Sequence, residues 1–149
     1  MASFNESLNA IPTRKFLAGE FIIHQDKKSN GIFFLKRGSV SVIMDGQKIT
    51  EIDQLGSIFG EMAYFMDNLS SASIQCSVDS EFLHIEDPDQ FLSDNPDVIV
   101  NITRKMCSRI INLSKQIAML RTGAKAQEEM LRKVLIQNAP DDDSEIVIY

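Results

Sequence analysis

The chain has 149 residues, 44% of them hydrophobic and 24% charged, and a formal net charge of −6. One domain is the expectation at this length, and such a chain buries roughly 70% of its unfolded surface. The acidic balance weighs against nucleic-acid binding, which depends on Lys and Arg facing phosphates, so sequence-specific DNA binding is not expected.

Residues 1–12 lack a basic start followed by an apolar stretch, so no secretory signal is read there. No apolar run in the chain approaches the roughly 18 residues of a membrane span, so no membrane partner is expected. The next part is strand-like. Residues 14–17 and 21–24 flank a turn at Ala18-Gly19-Glu20, and residues 31–35 form a continuous apolar run closed by Lys36-Arg37-Gly38. Val40, Val42 and Met44 then alternate with their neighbours up to Asp45-Gly46, a strong two-residue hairpin signal, and residues 47–52 return. Leu55-Gly56-Ser57 turns into Ile58-Phe59. Further on, residues 73–78 and 81–85 are expected to pair across Asp79-Ser80. Short strands with turns every 8 to 12 residues point to a β-barrel or jelly roll.

Between these strands lies the segment with most chemistry. It reads Phe59-Gly60-Glu61-Met62-Ala63, a short insert, then Ser70-Ser71-Ala72-Ser73-Ile74. Gly60 lets the backbone approach a ligand, and the residues after it can start a helical turn whose free N–H groups attract an anion. Glu61 offers a carboxylate to a sugar hydroxyl, and Ser70 and Ser71 offer hydroxyls to phosphate oxygens. No Arg or Lys occurs in residues 59–74. The segment resembles the phosphate-binding cassette of the cyclic nucleotide-binding domain family, as in catabolite activator proteins and regulatory subunits of cAMP-dependent kinase. Phe59, Gly60, Glu61, Met62 and Ala63 match the first half of its pattern, and Ser71 and Ala72 match the end. Ser70 stands where the family's phosphate-binding Arg would be. The resemblance runs over residues 12–121 and implies an α+β fold, a β jelly-roll barrel with short flanking helices and a long C-terminal dimerisation helix. It further implies that Glu61 accepts from the ribose 2′-hydroxyl, that Arg109 pairs with Glu61, and that Leu113 and Ser114 occupy two purine-contacting hydroxyl positions. Only Ser114 keeps its hydroxyl. The implied ligand is cAMP or cGMP, with the phosphate contact missing at Ser70.

After residue 85 the period changes. Asp87-Pro88 reads as N-cap and first helical residue, with Gln90 at the capping-box position, for a short helix over residues 88–94. Asn95-Pro96 repeats the signal, and a longer helix follows. Its apolar seam recurs at seven: Ile99, Met106, Leu113 and Leu120, interleaved with Ile110 and Ile117, then Ala124 and Leu131. This seam is expected to join two copies of the chain. Val98, Ile102 and Ile111 supply a second apolar face. A kink or break is expected near Thr122-Gly123, because Gly weakens a helix interior by about 1 kcal/mol relative to Ala. Residues 1–121 form the expected domain, including the helix from 96, residues 122–138 a helical extension, and residues 139–149 an acidic linker and tail. The last five residues, from Glu145 to Tyr149, are β-prone and apolar, suited to adding a strand to a sheet edge of this chain or of a protein partner.

Catalytic residues are not expected. His24 and His84 fall on strands with no nucleophile or metal motif nearby. Cys76 and Cys107 read as buried thiols in a reducing cytoplasm, and no Cys or His lies at metal-ligand spacing. The sequence thus describes a non-catalytic cytoplasmic signalling module acting as a dimeric protein-interaction domain. Two alternatives remain. One is a cyclic mononucleotide sensor that retains its ligand; the other is a transcription regulator without its own DNA reader, since no helix-turn-helix pattern follows residue 121.

Overall fold

Among the described residues, eight strands form in the order β1 (Thr13–Phe16), β2 (Phe21–Ile23), β3 (Ile32–Arg37), β4 (Val40–Met44), β5 (Gln47–Ile52), β6 (Ile58–Phe59), β7 (Ser73–Cys76) and β8 (Ser80–Ile85). Four helices accompany them: α1 (Phe4–Asn9), α2 (Glu61–Phe65), α3 (Pro88–Asp94) and α4 (Pro96–Gln137). The structure, a computed structural model, describes residues 4–137 and the side chains of residues 6–135. The expected tail strand at residues 145–149 lies outside the described residues.

The strands build two four-stranded antiparallel sheets, β1-β8-β3-β6 and β2-β7-β4-β5, the jelly-roll architecture expected from the sequence. The core lies between them. Phe33, Leu35, Phe59 and Phe82 enter from one sheet; Ile22, Ile23, Val40, Ile74 and Cys76 enter from the other. Phe16, Phe33 and Phe59 meet Phe82 edge-on, with centroids 5.7, 6.1 and 6.3 Å away. That geometry suits the ring quadrupoles. The apolar run in β3 has a simple explanation: Ile32 and Phe34 point away from Phe33 and Leu35 yet are buried too. Leu92, Val98 and Ile102 add buried aliphatic side chains from the helices of the same unit.

Local signals held where one residue pair decides the geometry. Asp45 and Gly46 both take positive φ, and Met44 pairs with Gln47, as a two-residue hairpin requires. At the start of α3, Asp87 accepts from Gln90 N at 3.4 Å. The Gln90 side chain turns forward to Asp94 Oδ2, 2.9 Å away, so only half of the capping box forms.

Three expectations are corrected. β7 and β8 do not pair with each other: β7 lies between β2 and β4, and β8 between β1 and β3. The chain crosses between sheets over residues 77–79, held by Ser77 N to Ser39 O at 2.9 Å and Ala18 N to Asp79 Oδ1 at 2.9 Å. This sets Cys76 and Phe82 in facing sheets, where both bury inward. Secondly, α4 runs through Gly123 without a break. Thr122 Oγ1 returns to Ala118 O at 2.9 Å, and Glu128–Arg132 and Glu129–Lys133 pair at i,i+4. Such pairs contribute about 0.2–0.5 kcal/mol each, enough with good helix formers to offset one Gly. Thirdly, Cys107 is exposed on α4, while Cys76 is buried as expected.

Gly31 joins the fold to the cassette. Its φ is +106°, and a Cβ there would overlap the backbone carbonyl of Ile85. Gly31→Ala is therefore expected to destabilise the fold by about 1–3 kcal/mol from backbone strain and more from the clash. Urea unfolding checks this; an unchanged midpoint would show that β8 yields freely.

Candidate functional site

Residues 59–74 bridge the two sheets. β6 leaves the first sheet, α2 turns, and β7 enters the second. Gly60 precedes α2 with φ +86°. A Cβ on it would lie 2.5 Å from Gly31 O and 2.7 Å from Ser29 Oγ. Close packing on the 29–31 loop thus requires Gly60, a reason the sequence did not reveal. Ser29 Oγ donates to Gly31 O at 2.8 Å and fixes that loop.

Glu61, the first residue of α2, is 2% exposed. Phe59 is a core residue. Met62 is exposed and Ala63 half-buried. At the far end, Ser70 is 5% exposed and clamped by its backbone: Ser70 N donates to Lys27 O at 2.9 Å, and Asp26 N donates to Ser70 O at 2.8 Å. Its Oγ is buried and has no hydrogen-bond partner among the described residues. A buried hydroxyl left so costs about 1–3 kcal/mol, unless something absent from the bare chain meets it. Ser71 is exposed and Ala72 half-buried. Residues 59–74 therefore hold a buried carboxylate and a buried unpartnered hydroxyl, with no cation of their own.

The remaining candidates stand on α4. The chain divides into two units at Arg104 and Lys105, so Arg109 and Ser114 belong to the second; both are exposed. In the same unit Ile110, Leu113, Ile117 and Leu120 are 61%, 51%, 54% and 73% exposed. Met106 is half-buried, as is Ile99 in the first unit. Ile111, read as part of the second apolar face, is exposed, whereas Val98 and Ile102 are fully buried.

Sequence reasoning missed a polar cluster around His84. This residue is 2% exposed and stacks on Phe33 at 4.1 Å. Its Nε2 lies 2.6 Å from Asn30 O, and its Nδ1 lies 3.4 Å from Arg14 Nη1 and 3.8 Å from Glu86 Oε1. Burial, aided by the Arg14 charge, pulls its pKa below the ordinary value, against the raising effects of Asn30 O and Glu86. The neutral ring donates from Nε2 to Asn30 O and accepts from Arg14 at Nδ1. Because the folded pKa is depressed, the unfolded chain binds the proton first, so this contribution holds above pH 6.5 and is lost as pH falls below it. Urea midpoints are expected to drop more on acidification from pH 7 to 5 in the wild type than in His84→Gln. Equal slopes would remove His84 from the pH response.

Two antiparallel sheets, a glycine-led helical turn that starts on a buried carboxylate, and a long C-terminal helix make a jelly roll of cyclic nucleotide-binding type. The sequence profile of the cyclic nucleotide-binding domain matches residues 13–93, and the chain belongs to that family. It is similar to the cAMP-activated global transcriptional regulator CRP of Pasteurella multocida, 29% identical over 114 residues, covering 71% of this chain. The chain spans 54% of that regulator's length. Among solved structures, it resembles the catabolite activator protein of Thermus thermophilus, with TM-score 0.63 and 22% identity over 78% of this chain and 57% of the other. It also resembles a chain solved in work on a cyclic-GMP-dependent signalling pathway regulating bacterial phytopathogenesis, with TM-score 0.60 and 20% identity over 75% of this chain and 95% of the other. These two likenesses share the fold. Among the described residues, no helix is long and apolar enough to cross a membrane.

Proposed function

We propose that this chain is a non-catalytic regulatory module that acts as a homodimer through protein contacts, with a nucleotide cassette weakened at its phosphate end. The observation that carries this reading is Ser70: buried, its hydroxyl unpartnered, at the position of the family's phosphate-binding Arg, in a segment without Lys or Arg. A charge-assisted contact is worth about 1.5–3 kcal/mol, so its lack weakens a cyclic phosphate by roughly ten- to 150-fold. The dimer reading rests on the exposed seam of α4. Ile110 and Ile117 alternate with Leu113 and Leu120 at spacings of three and four, so the β-branched residues take one heptad position and the leucines the other. That arrangement favours two parallel strands.

A second reading, a cyclic mononucleotide sensor, draws support from the buried Glu61 and from the relative described as cAMP-activated. A regulator of transcription that borrows its DNA reader is the third; the net charge of −6 weighs against DNA binding by this chain itself. Calorimetry with cAMP, cGMP and a cyclic dinucleotide separates the first two. The proposal expects no saturable binding below about 0.1 mM. Low-micromolar binding of a mononucleotide establishes the sensor instead.

A further inference from the structure

A second surface adjoins the cassette on the α2 side: Ala63 lines it, but neither Glu61 nor Ser70 does. It is a cleft of about 640 Å³ between the 28–31 loop, α2 with the loop after it, and the start of α3. Tyr64, Phe65, Leu69 and Pro88 give it apolar walls. Its rim carries three carboxylates, Asp67, Glu86 and Asp89, against the single ammonium of Lys28. Asp89 accepts from the Tyr64 hydroxyl, a contact that ties α2 to α3 and pushes the phenol up to about 12. Asp67 and Glu86 remain exposed.

The apolar wall continues outward. Met62, Phe65, Met66 and Leu69 are 51%, 43%, 72% and 48% exposed within eight residues of chain. All four lie on α2 or its exit, and Phe65 and Leu69 also line the cleft. Apolar side chains gathered on one surface patch mark an interaction site more than scattered ones do, and flexible Met side chains adapt to varied partners. An aromatic wall with carboxylates at its edge attracts Lys and Arg by cation–π and charge contacts together.

We propose that this cleft docks a basic amphipathic segment of a partner protein. Its apolar side chains cover Met62, Phe65, Met66 and Leu69, and its Lys or Arg side chains reach Asp67 and Glu86. Both halves are needed: the apolar patch supplies burial, and the acidic rim selects charge.

The test uses the full chain and labelled helical peptides of about 18 residues built from Leu and Lys on opposite faces. Two control peptides replace every Lys by Glu or every Leu by Ser. Fluorescence anisotropy is expected to show binding of the Leu/Lys peptide, with both controls at least about tenfold weaker. Two paired variants, Phe65→Ser with Met66→Ser and Asp67→Lys with Glu86→Lys, should each lose about tenfold. All four residues are exposed, so folding is expected to persist, which circular dichroism checks. On the wild type, hydrogen exchange should show peptide protection at residues 62–69 and 86–89, a readout that needs no variant. Equal binding by the Leu-to-Ser peptide would mean charge alone and would overturn the proposal. So would absence of binding, or protection confined to other residues.

Discussion

Ser70→Arg is expected to strengthen binding of cAMP or cGMP by roughly ten- to 150-fold, the worth of one charge-assisted contact. The position is fixed: Ser70 is held on both sides by backbone hydrogen bonds to residues 26 and 27. Its buried hydroxyl has no hydrogen-bond partner to lose among the described residues. The gain should depend on Glu61, the buried carboxylate at the other end of the cassette. Glu61→Ala in the Ser70→Arg background should therefore remove most of it. Calorimetry on four proteins, the wild type, both single variants and the double variant, closes the cycle. No response to Ser70→Arg would show that the cassette is filled by its own side chains. Low-micromolar binding by the wild type would show that another cation serves the phosphate. Lys27 is then the first to replace, since its carbonyl already bonds Ser70 N.

Ile110→Glu with Ile117→Glu is expected to convert a dimer to a monomer. α4 is 42 residues long, about 63 Å at helical rise, and its exposed Ile110, Leu113, Ile117 and Leu120 lie on one seam. Two copies joined there would bring four glutamates into an apolar interface without partners. Desolvation costs several kcal/mol for each such charge, more than a seam of this length returns. Both isoleucines are more than half exposed in the single chain, so the substitutions should leave the fold intact. Sedimentation reads the result. A wild type that is monomeric at concentrations on the order of tens of micromolar would end the dimer reading. The unbroken helix sharpens this prediction: the seam continues past Gly123 to Leu131, so its reach exceeds what an interrupted helix would offer.

The sequence by itself determined what short-range physics fixes. Asp45-Gly46 forced a two-residue hairpin because both positions need positive φ. Asp87-Pro88 set the start of α3, because a carboxylate caps and Pro needs no donor there. The seven-residue repeat gave a long helix, and the order of residues 59–63 and 70–72 marked the cassette. Tertiary structure alone decided the partners of β7 and β8. Strand pairing depends on residues far away in the chain, and a turn signal at Asp79-Ser80 serves a hairpin or a crossover equally well. It decided also that Gly60 packs against Gly31, that Cys107 is exposed, and that Phe65, Asp67 and Glu86 share one cleft. These outcomes follow from which surfaces meet after folding. Local propensities of a few tenths of a kcal/mol are small beside the burial of a core, so they set the elements and leave the meeting of surfaces to packing.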